Sequence, residues 1–286
     1  MDFLQVDVFG RGPYSGNPLA VFPDAADLST EQMQAIASEM NLSETTFVTG
    51  IENESYEVRI FTPREELRFA GHPTNGTAWV LRHLGRIQGD SVTQRSGAGE
   101  TPVTFSDDMV HFERSGSVSP DIEANDVRAH EKVARALNLE ERDVSMEAYE
   151  LGRSGMLRPA LADAGLEHFL VPLRDVGALG RVRIDLRLIS ELSPIGAYCF
   201  TAVKAGVVRA RGLFPEYGIE EDPATGSAAA ALGVYLADRI GPIELRIEQG
   251  QEIDRPSEIR VSAGADRVKV GGRCELVLTG RLETLP

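Results

Sequence analysis

Two short segments hold most of the side chains able to move a proton or hold an anion. His72-Pro73-Thr74-Asn75-Gly76-Thr77-Ala78 and Asp222-Pro223-Ala224-Thr225-Gly226-Ser227-Ala228 match at one constant offset. Proline suits the first turn of a helix, where its missing N–H costs nothing. Glycine lets a ligand approach the backbone closely. Thr77 and Ser227 add hydroxyls beside the unpaired N–H groups of a helix start. Two such starts facing each other across a cleft make an anion cradle. The residue before each proline differs, an imidazole in one copy and a carboxylate in the other, which suits proton transfer. Taken singly, Asp222 reads as a helix cap and His72 as a satisfied histidine; the repetition is what raises both to candidates.

Glu44 is the third candidate. It leads into the apolar run Thr45-Thr46-Phe47-Val48, and in a dry cleft its pKa would rise into a useful range. Spacing alone reads it as a solvated turn residue. Glu221 alternates with Asp222 and is expected to point away from it. Cys199 and Cys274 lie in strand-like runs and read as small buried hydrophobes. A two-thiol racemase is the alternative, but neither cysteine stands beside a glycine-rich helix start that would lower its pKa. The five histidines show no metal-ligand spacing, and no Gly-x-Gly-x-x-Gly or P-loop sequence occurs. Neither a metal nor a nucleotide cofactor is therefore expected.

Many short strands and few helices must position these groups. Alternation marks strands at the N-terminus, at Leu19 to Phe22, from Glu44, and at Tyr56 to Phe61. Ser29 and Gln32 have the layout of a capping box, followed by Met33, Ile36, Ala37 and Met40 at helical spacing as far as Asn41. Helices are expected from Gly76 to Leu84, from about Asp126 to Leu137, and from Ala228 to Ala237. The last four strands fall near 243–248, 257–262, 267–271 and 274–279. Ser115-Gly116-Ser117-Val118-Ser119-Pro120 is the best linker. It divides the chain into 1–117, with Glu44 and the His72 motif, and 118–286, with the Asp222 motif; the last strands could pack on the first domain. The pattern is that of an α+β protein rather than a doubly wound sheet.

The 286 residues are 42% hydrophobic and 26% charged, as in a globular protein with a real core. A net charge of −15 repels phosphate backbones and anionic lipid surfaces, so neither nucleic acid nor membrane is an expected partner. An anionic substrate must then be held by local donors. No run is long and apolar enough to span a membrane. The N-terminus has no signal-peptide layout, and the expected location is the cytoplasm.

The chain resembles the phenazine biosynthesis PhzF family of isomerases. The matching segments are Ser15-Gly16-Asn17-Pro18, Met40-Asn41-Leu42-Ser43-Glu44-Thr45, Phe61-Thr62-Pro63, Glu66-Leu67, Phe69-Ala70-Gly71-His72-Pro73 and Glu221 to Ala228, with familiar glycines and prolines near the C-terminus. The resemblance implies the diaminopimelate-epimerase-like fold: two pseudo-symmetric domains, each a curved mixed sheet or barrel around a central helix, with the site between them. It implies that Glu44 is the main acid/base and that His72 and Asp222 assist. Gly71, Gly226 and Ser227 would hold a substrate carboxylate, and the protein would be a homodimer; the motif's own reading adds the Thr77 hydroxyl as a substrate-binding candidate. The related epimerases use two cysteines, and neither motif here has one, which favours carboxylate chemistry. The expected function is a cofactor-independent isomerase of a small carboxylated substrate. A racemase or epimerase of a small acid and a non-enzymatic binding protein of the same fold are the alternatives.

Overall fold

The computed structural model describes residues 1–122, 128–193, 195–215 and 219–286. Its first half runs β1 (Asp2–Val8), β2 (Asn17–Phe22), α1 (Thr30–Met40), β3 (Glu44–Glu52), β4 (Ser55–Phe61), β5 (Glu66–Leu67), α2 (Gly71–His83), β6 (Ser91–Ser96), β7 (Gly99–Ser106) and β8 (Met109–Arg114). Then follow β9 (Ser117–Val118), α3 (Ala129–Ala136) and the hairpin of β10 (Met146–Glu147) and β11 (Met156–Leu157). The second half runs β12 (Ala160–Asp163), β13 (Glu167–Pro172), α4 (Val176–Arg181), α5 (Leu186–Ser190), β14 (Ala197–Lys204), β15 (Val207–Phe214), β16 (Ile219–Asp222), α6 (Gly226–Ile240), β17 (Ile243–Gln249), β18 (Ser257–Ala263) and β19 (Val268–Arg281).

The pairings repeat. β1 and β12 pair antiparallel with β2 and β13. β2 and β13 then pair parallel with β3 and β14, reached through helices on the outer face. β4 and β15 each form an antiparallel pair with the preceding strand and a short hairpin with the following one. Each also pairs parallel with the strand beyond its long helix, β6 or β17. The fold is mixed α and β with few helices, and in the first half β1, β2, β3, β4, β6, β7, β8 and β19 close into an eight-stranded barrel, with a second ring of strands in the other half. α2 runs inside β1–β3, β6–β8 and β19, and α6 inside β9, β12, β13 and β17–β19.

Two strands pass from one ring to the other. The first residues of β19 pair with β18, and its last eight, Cys274 to Arg281, pair with β1. Between them, Val268–Arg273 also pairs with β8, whose continuation β9 pairs with β12. Two strands expected at 267–271 and 274–279 are therefore one. Gly271 and Gly272 look like a break in sequence but mark close contacts: a Cβ on Gly271 would lie 1.9 Å from His111 Nδ1, and one on Gly272 2.6 Å from the Phe9 ring. The Ser115–Pro120 segment carries β9, and a Cβ on Gly116 would meet Asp163 O at 2.3 Å.

Local chemistry explains the elements around the site. Ser29 closes the capping box of α1 with Gln32, and Asn41 ends the helix in the left-handed region. α1 lays Met33, Ile36 and Ala37 on the sheet beside the stacked rings of Phe22 and Phe47. α3, α4 and α5 cover the outer face of β13–β15 in a separate apolar layer. The expected start of α3 near Asp126 lies outside the described residues. α2 begins at Gly71, a turn earlier than expected, and α6 at Gly226.

The turn before β2 is tied to the second half. Buried Asp7 accepts from Tyr14 N at 2.7 Å and from Arg255 Nη2 at 2.6 Å, while Arg255 Nε donates to Gly16 O at 3.0 Å. Gly16 has φ +75, and a Cβ there would lie 2.4 Å from Val8 O, so only glycine fits. Asp7→Ala strands Arg255 and the Tyr14 N–H. Because Arg255 is partly exposed, the expected loss is about 2 kcal/mol rather than the larger cost of a fully buried pair. A urea unfolding midpoint equal to wild type would refute this role.

Candidate active site

α2 and α6 meet end to end at their N-termini. A Cβ on Gly71 would lie 2.5 Å from Gly226 C and Ser227 N; one on Gly226 would lie 3.1 Å from His72 N. Neither Ala70 nor Thr225, the two N-caps, makes a side-chain cap. Both helices therefore present uncapped N–H groups and the positive ends of their dipoles to one place.

This geometry corrects the register of the sequence match. The match sets Gly76 over Gly226, yet Gly71 is the glycine that faces Gly226. Gly76 lies deeper in α2, where a Cβ would sit 2.5 Å from Leu19 Cδ2. Thr77 goes with it: its hydroxyl donates to Thr46 Oγ1 at 2.9 Å inside the first barrel, away from the helix start where it was expected. Asp222 ends β16 and does not cap α6. Glu221, on the opposite face, pairs with Arg211 at 2.7 Å.

A cavity of about 30 Å³ lies against the paired helix starts, lined by Glu44, Asp222, His168 and Ser227 with apolar Leu67 and Phe214. Glu44 opens β3, His72 is the second residue of α2, and Asp222 arrives on β16, so three separate elements converge here. Glu44 Oε2 stands 3.5 Å from His72 Nε2. Among the described residues that oxygen has no hydrogen-bond partner, and neither does the nitrogen.

Asn17, in the Ser15–Pro18 turn, joins the other groups. Its amide nitrogen lies 2.8 Å from Asp222 Oδ1, 3.0 Å from Ala224 O and 3.1 Å from His72 Nδ1. Two of these neighbours are oxygens that only accept, which fixes the amide with its NH₂ toward them. An Nδ1–H on His72 would point into this NH₂, so the ring proton is assigned to Nε2, toward Glu44. Asp222 also accepts from Ser43 Oγ at 3.3 Å and from Thr225 Oγ1 at 2.6 Å.

Burial sets the protonation states. It pushes the Glu44 carboxyl well above the usual carboxylate range, and the nearby Asp222 charge pushes it further. Burial raises Asp222 as well, but the hydrogen bonds from Thr225, Asn17 and Ser43 oppose the rise. His72 falls to about 3 because burial penalises the imidazolium. The resting pair is thus a neutral imidazole beside a carboxyl prone to hold its proton, with Asp222 the better stabilised anion. The two thiols are buried elsewhere, on β14 and β19, and burial raises Cys199 to about 12. Neither supplies a thiolate to this cavity.

Ser43 and Thr225 escape the sequence reading as site residues because each is a common turn residue; Asn17 enters it only as part of a turn, Ser15 to Pro18, that could line a pocket. His168 escaped because it looks like any polar residue in a strand. It is buried on β13, with Nε2 2.9 Å from Ser227 Oγ. Among the described residues no group of three or more His, Cys, Asp or Glu side chains could hold a metal ion, and no helix is long and apolar enough to cross a membrane.

The model of the phenazine biosynthesis-like protein family, PhzC-PhzF, matches residues 6–280. The trans-2,3-dihydro-3-hydroxyanthranilate isomerase of Pseudomonas aeruginosa is 35% identical over 273 residues, covering 93% of this chain and 92% of that protein. Two solved structures share the fold. The Bacillus anthracis phenazine biosynthesis protein of the PhzF family has TM-score 0.84 at 23% identity, covering 99% of both chains. A hydroxyproline epimerase from Agrobacterium vitis has TM-score 0.61 at 14% identity, covering 99% of this chain and 90% of that one.

A carboxyl with a raised folded pKa contributes stability that is fully present below its unfolded pKa and lost as pH rises through the folded value. Glu44→Gln cannot ionise, so it should be at least as stable as wild type at about pH 8. Its advantage should grow from mildly acidic to mildly alkaline pH, by about 1 kcal/mol for each pKa unit of upward shift removed. Denaturant titrations across that range check this, and a Gln variant less stable at the alkaline end refutes it.

Proposed function

This chain belongs to the phenazine biosynthesis-like PhzC-PhzF family and is an isomerase, and we propose that it moves a proton on a small carboxylated substrate without a cofactor. The observation that carries this reading is the head-on meeting of two uncapped helix N-termini beside a buried carboxyl. The Gly71, His72, Gly226 and Ser227 N–H groups form the anion seat, where backbone donors and aligned dipoles favour a carboxylate. A carboxylate held there has Glu44 nearby, and the C–H bond next to the acid, or conjugated with it, is the one it acidifies.

Glu44, once ionised, takes the proton from that carbon. The electron pair delocalises toward the carboxylate, and the helix-start N–H groups stabilise the charge as it grows. His72, neutral and protonated on Nε2, donates to the developing anion without needing an imidazolium. Glu44 returns its proton to a second carbon of the conjugated system, so the net change is a double-bond shift. Asp222 holds Asn17, Ser43 and Thr225 in place and keeps a negative charge beside Glu44, which strengthens Glu44 as a base.

The test is proton exchange. A panel of unsaturated carboxylates, beginning with trans-2,3-dihydro-3-hydroxyanthranilate, is incubated in heavy water and followed by NMR. The double bond should shift, and any deuterium taken up should sit at the carbon that receives the proton, not at the one that lost it. Exchange with inversion at one carbon would identify an epimerase instead. Glu44→Gln should lower the rate by about 10²-fold or more, and full activity in that variant removes Glu44 as the base. The acid limb of kcat/KM, which reports the free enzyme, should lie above the ordinary glutamate value of about 4.3. A limb at that ordinary value contradicts the buried state of Glu44.

A further inference from the structure

His168 lies against the proposed anion seat, yet the reaction just described does not use it. Its ring is 2% exposed and meets Phe214 edge-on at 5.5 Å between centroids. Nε2 is 2.9 Å from Ser227 Oγ, and Nδ1 has no partner among the described residues. Burial lowers the pKa to about 3, so the ring carries a single proton near neutral pH.

That proton has two possible positions. If Ser227 donates to Nε2, the ring proton sits on Nδ1 as a buried N–H with no acceptor. If Nε2–H donates to Ser227 Oγ, the unpartnered Nδ1 is only an acceptor. A buried donor left without an acceptor is the rarer of the two defects. The second arrangement also leaves the Ser227 hydroxyl proton free.

We propose that His168 is a positioning residue: it keeps its proton on Nε2, donates to Ser227 Oγ, and thereby makes the Ser227 hydroxyl a donor to the substrate carboxylate. This rests on the proposed seating of a carboxylate at the paired helix starts. Ser227 is the second residue of α6 and lines the cavity, so its hydroxyl joins the backbone donors there. With the hydrogen bond reversed, an oxygen lone pair would face the anion and repel it. His168 does this while neutral, so it adds no charge to the buried site.

The first experiment reads the ring itself. In protein labelled with ¹⁵N in its histidine rings, His168 is assigned by the resonances lost in His168→Gln. At neutral pH Nε2 should be the protonated nitrogen and Nδ1 the bare one; a proton on Nδ1 overturns the proposal. The second is calorimetric binding of benzoate, a simple carboxylate. His168→Leu and Ser227→Ala should each weaken binding about tenfold, the worth of one hydrogen bond to a charge. The double variant should bind no more weakly than either single one, because the two act as a unit. His168→Gln, whose amide N–H can take the place of Nε2–H, should recover most of the loss. Wild-type affinity in His168→Leu, or losses that multiply in the double variant, would overturn the proposal. If wild type binds no benzoate, the carboxylate seat itself fails, while the ring nitrogens still decide which group donates.

Discussion

The contact between Gly71 and Gly226 is the constraint to which the rest of the molecule answers. Two helix N-termini carry like partial charges, and bringing them together in a buried place is unfavourable unless something negative lies near. The protein holds them there by enclosing each helix in a barrel and joining the barrels through β8, β9 and β19. Side chains larger than hydrogen at either glycine would separate the ends. The small side chains of α6, with Ala228 to Ala231 all buried, let the second barrel close tightly on its helix. Tight closure fixes where that helix begins.

A second layer of order lies in the electrostatics. Two carboxylates and two histidines share a buried region in which charges are costly. The molecule resolves this unevenly: Asp222 receives three side-chain donors, Glu44 receives none, and both imidazoles are held neutral. The inequality sets apart the protonation of two chemically similar acids, as fixed environments do at proton-transfer sites. Asn17 is central to it, since one amide touches the anion, the imidazole and a backbone carbonyl. Its position depends in turn on a turn clamped by Asp7 and Arg255, whose chain segments come from opposite ends of the sequence.

Much of this was legible in the residues. The capping box of α1, the strand led by Glu44, the two motifs and the outward direction of Glu221 all follow from local rules that act within a few residues. The resemblance drawn from the same motifs carried the fold. What local rules could not supply was register and long-range contact. His72-Pro73 and Asp222-Pro223 look equivalent, but the first pair lies inside a helix and the second precedes one, so Gly76 and Thr77 were given places that belong to Gly71 and His72. Gly271-Gly272 read as a break because close approach and a turn ask for the same residue. His168 could not be singled out, because its meaning comes from Ser227, which the chain brings to it only after building β14, β15 and β16.

The crossing of β8 and β19 also bears on how the molecule forms. β1 is among the first segments of this chain, and its partner in the ring is the last strand, with register from Asp2 opposite Arg281 to Val8 opposite Cys274. Closing the first barrel therefore requires a contact spanning nearly the whole chain, the kind of loop closure that slows folding most. Until β19 arrives, β1 and β8 each have an edge without a neighbour, and such edges invite pairing with other chains. The two halves share β19, so both rings close only when that last strand is in place.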